Sequence, residues 1–213
     1  ATLIATLIAI LKRILYNKVN FIQFMFFQTD VILIFVVYDK ICPAIRRLLM
    51  IKSDFHMHSN FSGDCKAALD HMVHGAVARG MDTICFTDHN DPSFPYPCEE
   101  EIGMFDLDTD RYMDCLLQTA DLYKDKITIR RGVEIGIQTH IYKELNDYVQ
   151  KYPFDFVIGS SHLCLRMDPY YPAFWEGRSL KDGLNVYFED IRQNVHSYNN
   201  YDVYGHLDYI VRY

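Results

Sequence analysis

The sequence predicts an α/β fold built on a parallel sheet, and three observations carry that expectation. From Ile51 onward short β-like runs alternate with helical patterns, the mark of successive βα units. The composition is that of a folding chain: half of the 213 residues are apolar, 23% are charged and 15% are aromatic, which excludes disordered, collagen-like and low-complexity classes. The histidines and acidic residues cluster just after the β-like runs, where a parallel sheet builds its active sites.

In chain order, residues 1–49 come first and differ from the rest, being rich in Ile, Leu, Phe and Val and free of glycine. Val19 to Val37 holds a single charged residue, Asp30, and is long enough for a marginal membrane span. A signal peptide fits badly, because the apolar run is too long and no A-x-A pattern follows. A membrane anchor has Lys12, Arg13 and Lys18 on one flank and Lys40, Arg46 and Arg47 on the other, so the charges set no orientation. The preferred reading is a hydrophobic leader, or upstream sequence, ahead of a functional domain that starts at Met50 and folds without it.

Within residues 50–213 the first strand is Ile51 to Phe55, ending at His56. Ala67 to Arg79 places Leu69, Met72, Val73, Ala76 and Val77 on one helical face, and Gly80 supplies the stop. Thr83 to Thr87 is the second strand. Asp91 to Phe105 carries three prolines and is a long loop. Asp108 or Thr109 caps a helix whose inner face holds Tyr112, Leu116, Ala120 and Tyr123. Ile127 to Val133 is the third strand, His140 to Lys151 a helix and Phe154 to Ile158 the fourth strand. A second loop, Cys164 to Arg178, is aromatic, with Tyr170, Tyr171, Phe174 and Trp175 either lidding a site or packing the loop. Ser179 caps a helix with Leu184, Tyr187, Phe188, Ile191 and Val195 inward, and Val203 to Gly205 opens a fifth strand. A closed α/β barrel usually needs seven or eight strands, so the chain reads as truncated at the C-terminus.

His56, His58 and Asp64 follow the first strand; Asp88 and His89 end the second; Glu134 ends the third; His162 follows the fourth; His206 and Asp208 end the fifth. Singly each has a structural reading: an incidental His-x-His pair, a helix cap, a solvated strand end, a turn residue. Together, all after strands and none within one, they predict a metal site. Imidazole with carboxylate suits Zn²⁺, Mn²⁺ or Fe²⁺ better than Ca²⁺, and the number of ligands exceeds the need of one ion. A cluster of two or three divalent ions is the expectation, of the kind that flanks both oxygens in phosphoester hydrolysis. His71, His74, His140 and His196 lie on helices and read as structural. The net charge of −7 argues against binding of long nucleic acid, and six scattered cysteines read as reduced thiols of a cytoplasmic protein.

The motifs SDFHMHSNFSGD (Ser53 to Asp64), FTDHN (Phe86 to Asn90), GVEIG (Gly132 to Gly136), GSSHL (Gly159 to Leu163) and GHLDYIVRY (Gly205 to Tyr213), in that order, resemble the PHP (polymerase and histidinol phosphatase) superfamily, in particular its histidinol-phosphatase branch. DPYYPAFWEGRS, Asp168 to Ser179, is similar to that branch's substrate-side loop. The resemblance implies a distorted (β/α)7 TIM-like barrel with a trinuclear centre. By motif, His56, His58 and Glu134 would hold one ion, Glu134 would bridge to a second held by His162 and His206, and Asp64 with His89 would hold the third. The family's late Asp-x-His motif falls beyond Tyr213. The implied reaction is hydrolysis of L-histidinol phosphate, a small phosphate ester, in histidine biosynthesis. Arg212 is the expected phosphate clamp and Asp208 the expected orienting or proton-donating group. Two other readings stand beside it: a PHP phosphoesterase acting on nucleotides or nucleic-acid ends, and a metal-binding module without turnover. A membrane partner enters only if residues 1–49 belong to the working protein.

Overall fold

The computed structural model describes residues 51–212. The leader reading of residues 1–49, and Cys42 within it, lie outside the described residues. The frame consists of strands β1 (Ser53–Met57), β2 (Thr83–Phe86), β3 (His89–Asn90), β4 (Thr128–Gly136), β5 (Phe156–Ser160) and β6 (Val203–Tyr204). Between them run helices α1 (Leu69–Ala78), α2 (Thr109–Tyr123), α3 (Tyr142–Lys151), α4 (Pro172–Trp175) and α5 (Leu180–Ser197). The strands lie in the order β1-β2-β4-β5-β6, and each of their pairings is parallel. Each strand thus sits beside its predecessor with a helical connection between, the arrangement of a TIM-like α/β barrel. β3 continues β2 rather than adding a strand: Phe86 pairs with Arg131 and His89 with Glu134, at the same offset along β4.

Local chemistry accounts for the elements. Asp108 accepts a hydrogen bond from the Arg111 amide and starts α2, while Ser179 accepts one from the Asp182 amide and starts α5. Gly80, at φ +70°, ends the α1 turn where a side chain would be strained. Leu69, Val73 and Ala76 of α1 meet Tyr112, Leu116 and Tyr123 of α2 over Ile84, Phe86 and Ile129 of the sheet. Val133, Ile135, Val157 and Leu145 form a second core under α3, and Phe174, Tyr187, Ile191 and Ile210 a third beside α5.

Three expectations need correction. β4 runs on to Gly136 instead of stopping at Val133, because Glu134 is fully buried yet faced by imidazoles, so a charge there does not end the strand. The fourth strand begins two residues later than expected, at Phe156, with Asp155 turned to accept from the Arg131 amide and guanidinium. Phe188 and Val195 of α5 are 46% exposed, whereas Asn194 is fully buried, its amide donating to Ser161 Oγ and Asp190. Apolar spacing placed Leu184, Tyr187 and Ile191 inward, as found, but drew the stripe too wide by including Phe188 and Val195. Among the described residues no helix is long and apolar enough to cross a membrane, and Cys65, Cys85, Cys98, Cys115 and Cys164 are free thiols.

Candidate metal centre

The sheet brings the predicted residues together. His56, His58, Asp64, His89, Glu134, His162 and His206 all line one cavity of about 460 Å³. They arrive on β1, β3 and β4 and on the segments after β1, β5 and β6. The expectation that none lies within a strand is corrected: His56 is inside β1, His89 opens β3 and Glu134 is inside β4. β1 is irregular and β3 short there, so their imidazoles point into the barrel mouth without leaving the ladder. The β1 register shifts between Asp54 and Met57, around His56.

Glu134 is the hub. Its Oε2 lies 2.9 Å from His56 Nε2 and 3.0 Å from His58 Nε2. Its Oε1 lies 3.1 Å from His162 Nε2 and 2.9 Å from His206 Nε2, and accepts from Ser160 Oγ at 2.6 Å. A second carboxylate, Asp64, is 3.5 Å from both His58 Nδ1 and His89 Nε2. Three overlapping sets have their donor atoms close enough to hold a cation: His56, His58 and Glu134; His58, Asp64 and His89; His89, Glu134 and His162.

Asp88 builds the loop that carries two of these groups. Fully buried, its carboxylate accepts from the Ser59 amide (2.6 Å) and hydroxyl (2.9 Å) and from the Ser62 amide (3.2 Å) and hydroxyl (2.8 Å). Ser62 Oγ in turn accepts from the His89 amide, so the segment His58 to Asp64 is tied to the start of β3.

The donor set fits divalent ions. Ligand-to-ligand edges around an ion with bonds of 2.0 to 2.2 Å are roughly 2.8 to 3.5 Å, which the spacings around Glu134 match. His58 Nε2 is buried and makes no hydrogen bond although it lies 3.0 Å from Glu134, as do two groups aimed at a common point rather than at each other. Burial would raise the Glu134 carboxyl, but the charge of His162 and hydrogen bonds with His162, His206 and His56 hold it well below the usual range. Burial opposes the charged form of His58, yet the neighbouring carboxylates of Asp64 and Glu134 push it up to about 10. The site is thus rich in electron-pair donors and poor in permanent cations, which is what a metal completes.

Arg212 lines the cavity, its guanidinium 5.5 Å from the Tyr209 ring centre. Asp208 is exposed and not among the lining residues, since the turn into the 3₁₀ segment Tyr209–Arg212 brings Tyr209 to the cavity instead. The aromatic loop divides: Tyr170 and Tyr171 line the cavity, whereas Phe174 and Trp175 pack against the α5 side. Sequence reasoning missed Asp91, Glu101 and Asp168, all in the lining. Asp168 is buried, which raises its carboxyl, and accepts from the Tyr170 amide (2.8 Å) and the Tyr209 hydroxyl (3.1 Å). Its one signal was its place at the head of the aromatic loop.

Comparison with known proteins gives one direction. The PHP domain family matches residues 54–213. A histidinol-phosphatase of Lactococcus lactis subsp. lactis is 34% identical over 177 residues, covering 77% of this chain and 59% of that protein. The crystal structure of histidinol phosphate phosphatase from the same organism, complexed with zinc, L-histidinol and phosphate, superposes with a TM-score of 0.70 at 35% identity, over 76% of this chain and 60% of that one. A structure from Listeria monocytogenes, 17% identical, superposes at 0.59 over 68% of this chain and 61% of that one, and shows the same fold. The chain spans about three-fifths of the length of the relatives it matches.

Proposed function

This chain belongs to the PHP domain family, and from that premise we propose that it is a metal-dependent phosphomonoesterase that hydrolyses L-histidinol phosphate to L-histidinol and phosphate. The observation that carries the proposal is the convergence of five imidazoles with the carboxylates of Asp64 and Glu134 in one cavity, with Arg212 in its wall. The names of the relatives, one of them crystallised with zinc, L-histidinol and phosphate, support the substrate and favour zinc over manganese or iron.

In this reading two or three divalent ions occupy the centre: His56, His58 and Glu134 hold one, Glu134 with His162 and His206 a second, Asp64 and His89 a third. When bound, such ions supply Lewis-acid polarisation of the phosphate oxygens and a strong nucleophile at neutral pH. The chain's own side chains do the rest. Arg212 grips a phosphate oxygen pair with its planar fork. Asp168 and Glu101, carboxylates of the same cavity outside the ligand set, receive the cationic ammonium and imidazole end of the substrate. Tyr170, Tyr171, Phe94 and Phe105 exclude water around it. A nucleoside monophosphate, whose sugar and base carry no positive charge, gives that acidic wall nothing to pair with, and Asp208 has no part in this scheme. Residues 50–213 are the catalytic unit, working in the cytoplasm with residues 1–49 as a separate leader.

The test is phosphate release from L-histidinol phosphate against a nucleoside monophosphate, with Zn²⁺ or Mn²⁺ added. Selective release from L-histidinol phosphate is the expected result. Preference for the nucleotide overturns the substrate, and metal uptake without release from either overturns the activity.

A further inference from the structure

Asp91 is a buried carboxylate that the scheme above leaves without a role. Its side chain is 3% exposed, and its Oδ1 lies 2.7 Å from His162 Nδ1. Its Oδ2 is 3.5 Å from His89 Nδ1. Its main chain ties it into the loop: the Asp91 amide donates to the Phe105 carbonyl and its carbonyl accepts from the Phe94 amide. The side chain is committed to the His162 ring; His89 Nδ1, 3.5 Å from Oδ2, makes no hydrogen bond. Gly136, the last residue of β4, makes the space for it, since a Cβ there would stand 1.9 Å from Asp91 Oδ1.

An imidazole that accepts a metal at one nitrogen carries its proton on the other, and a partner for that proton fixes both tautomer and ring orientation. His162 has that geometry, with Nδ1 on Asp91 and Nε2 directed at Glu134, 3.1 Å away. We propose that Asp91 is a positioning residue: it holds His162 with the proton on Nδ1 so that Nε2 is presented to the centre, in a slot that only glycine at position 136 leaves open. The inference rests on the metal-centre reading above. It adds a residue that touches neither substrate nor ion yet sets the affinity of the site.

The experiment is zinc competition with a chelator, without substrate, on the full chain and on Asp91→Asn, Asp91→Ala and Gly136→Ala, with the thermal midpoint of each metal-free protein alongside. Loss of an outer partner of a ligating histidine typically weakens metal binding about 10- to 100-fold. The expected order is a smaller loss for Asp91→Asn, whose amide oxygen still accepts from Nδ1–H, and a larger one for Asp91→Ala, with Gly136→Ala resembling the latter. ¹⁵N shifts of His162 in the zinc-loaded protein should report an Nδ1–H tautomer in the wild type and lose it in Asp91→Ala. Wild-type affinity in both Asp91 variants overturns the inference while leaving the metal reading intact, as does a fall in metal-free midpoint with unchanged zinc affinity. A wild-type protein that takes up no zinc overturns both.

Discussion

At the scale of the residue, Glu134 and His74 are opposites. Glu134 is wholly buried and meets four imidazoles. His74 lies on α1, its Nε2 2.6 Å from the Tyr123 hydroxyl, which also donates to Asp70, in a network that ties α1 to α2 away from the cavity. Glu134→Gln should cut phosphate release at least about 100-fold, the scale of removing a preorganised charge from an active site, and His74→Ala should leave it within about twofold, since surface changes away from special features stay within about 0.5 kcal/mol. Equal rates for the two variants would sink the ligand scheme. Asp168→Asn should raise KM for L-histidinol phosphate about tenfold with little change in kcat, matching a charged hydrogen bond of about 1.5 kcal/mol. Steady-state kinetics separates the two parameters. The ligand candidates were legible because His-x-His and strand-end spacing are patterns; Asp91 and Asp168 were not, because a lone acid in a loop has no spacing to read.

At the scale of the element, the main strands and all the long helices were visible in the alternation of patterns, and their ends were not. β4 outran its apolar run because its charge is neutralised across the cavity, a long-range fact absent from any local window. The edge of the α5 stripe was drawn at Phe188 and Val195 rather than at Asn194, because Asn194 is buried by hydrogen bonds rather than by apolarity. Gly183 within α5 has a similar hidden reason: a Cβ there would stand 2.4 Å from the Trp175 ring of α4. Alanine normally improves a helix interior by about 1 kcal/mol over glycine, so Gly183→Ala should instead lower the thermal midpoint by displacing Trp175. A raised midpoint would show that the ring yields freely. Asp88→Ala, which strands the Ser59 and Ser62 donors in the interior, should cost about 3 kcal/mol by denaturant unfolding.

For the whole molecule, the centre joins β1, β3 and β4 to the ends of β5 and β6, so ions bound there would brace the sheet from one side to the other. Stripping them with a chelator should lower the melting temperature by about 5 to 10 °C, since loading at a hundred times the dissociation constant contributes about 2.7 kcal/mol. An unchanged melting curve after verified removal would show that the fold carries itself. Protons should move as well. His58 holds its proton up to about 10 in the metal-free protein, and a ligating nitrogen must give that proton up. Zinc uptake at neutral pH should therefore release protons and tighten as pH rises, which calorimetry in two buffers of different ionisation enthalpy reads directly. The lining of the cavity adds an order in time. Asp64, Asp91, Glu101, Glu134 and Asp168 face it with Arg212 as the sole arginine or lysine among its lining residues. To an arriving phosphate the metal-free cavity is a repelling surface, and it turns into an attracting one only after cations settle. Inhibition by the released phosphate should thus be a property of the loaded protein alone, and a preincubation with metal, not with substrate, should abolish any lag in turnover.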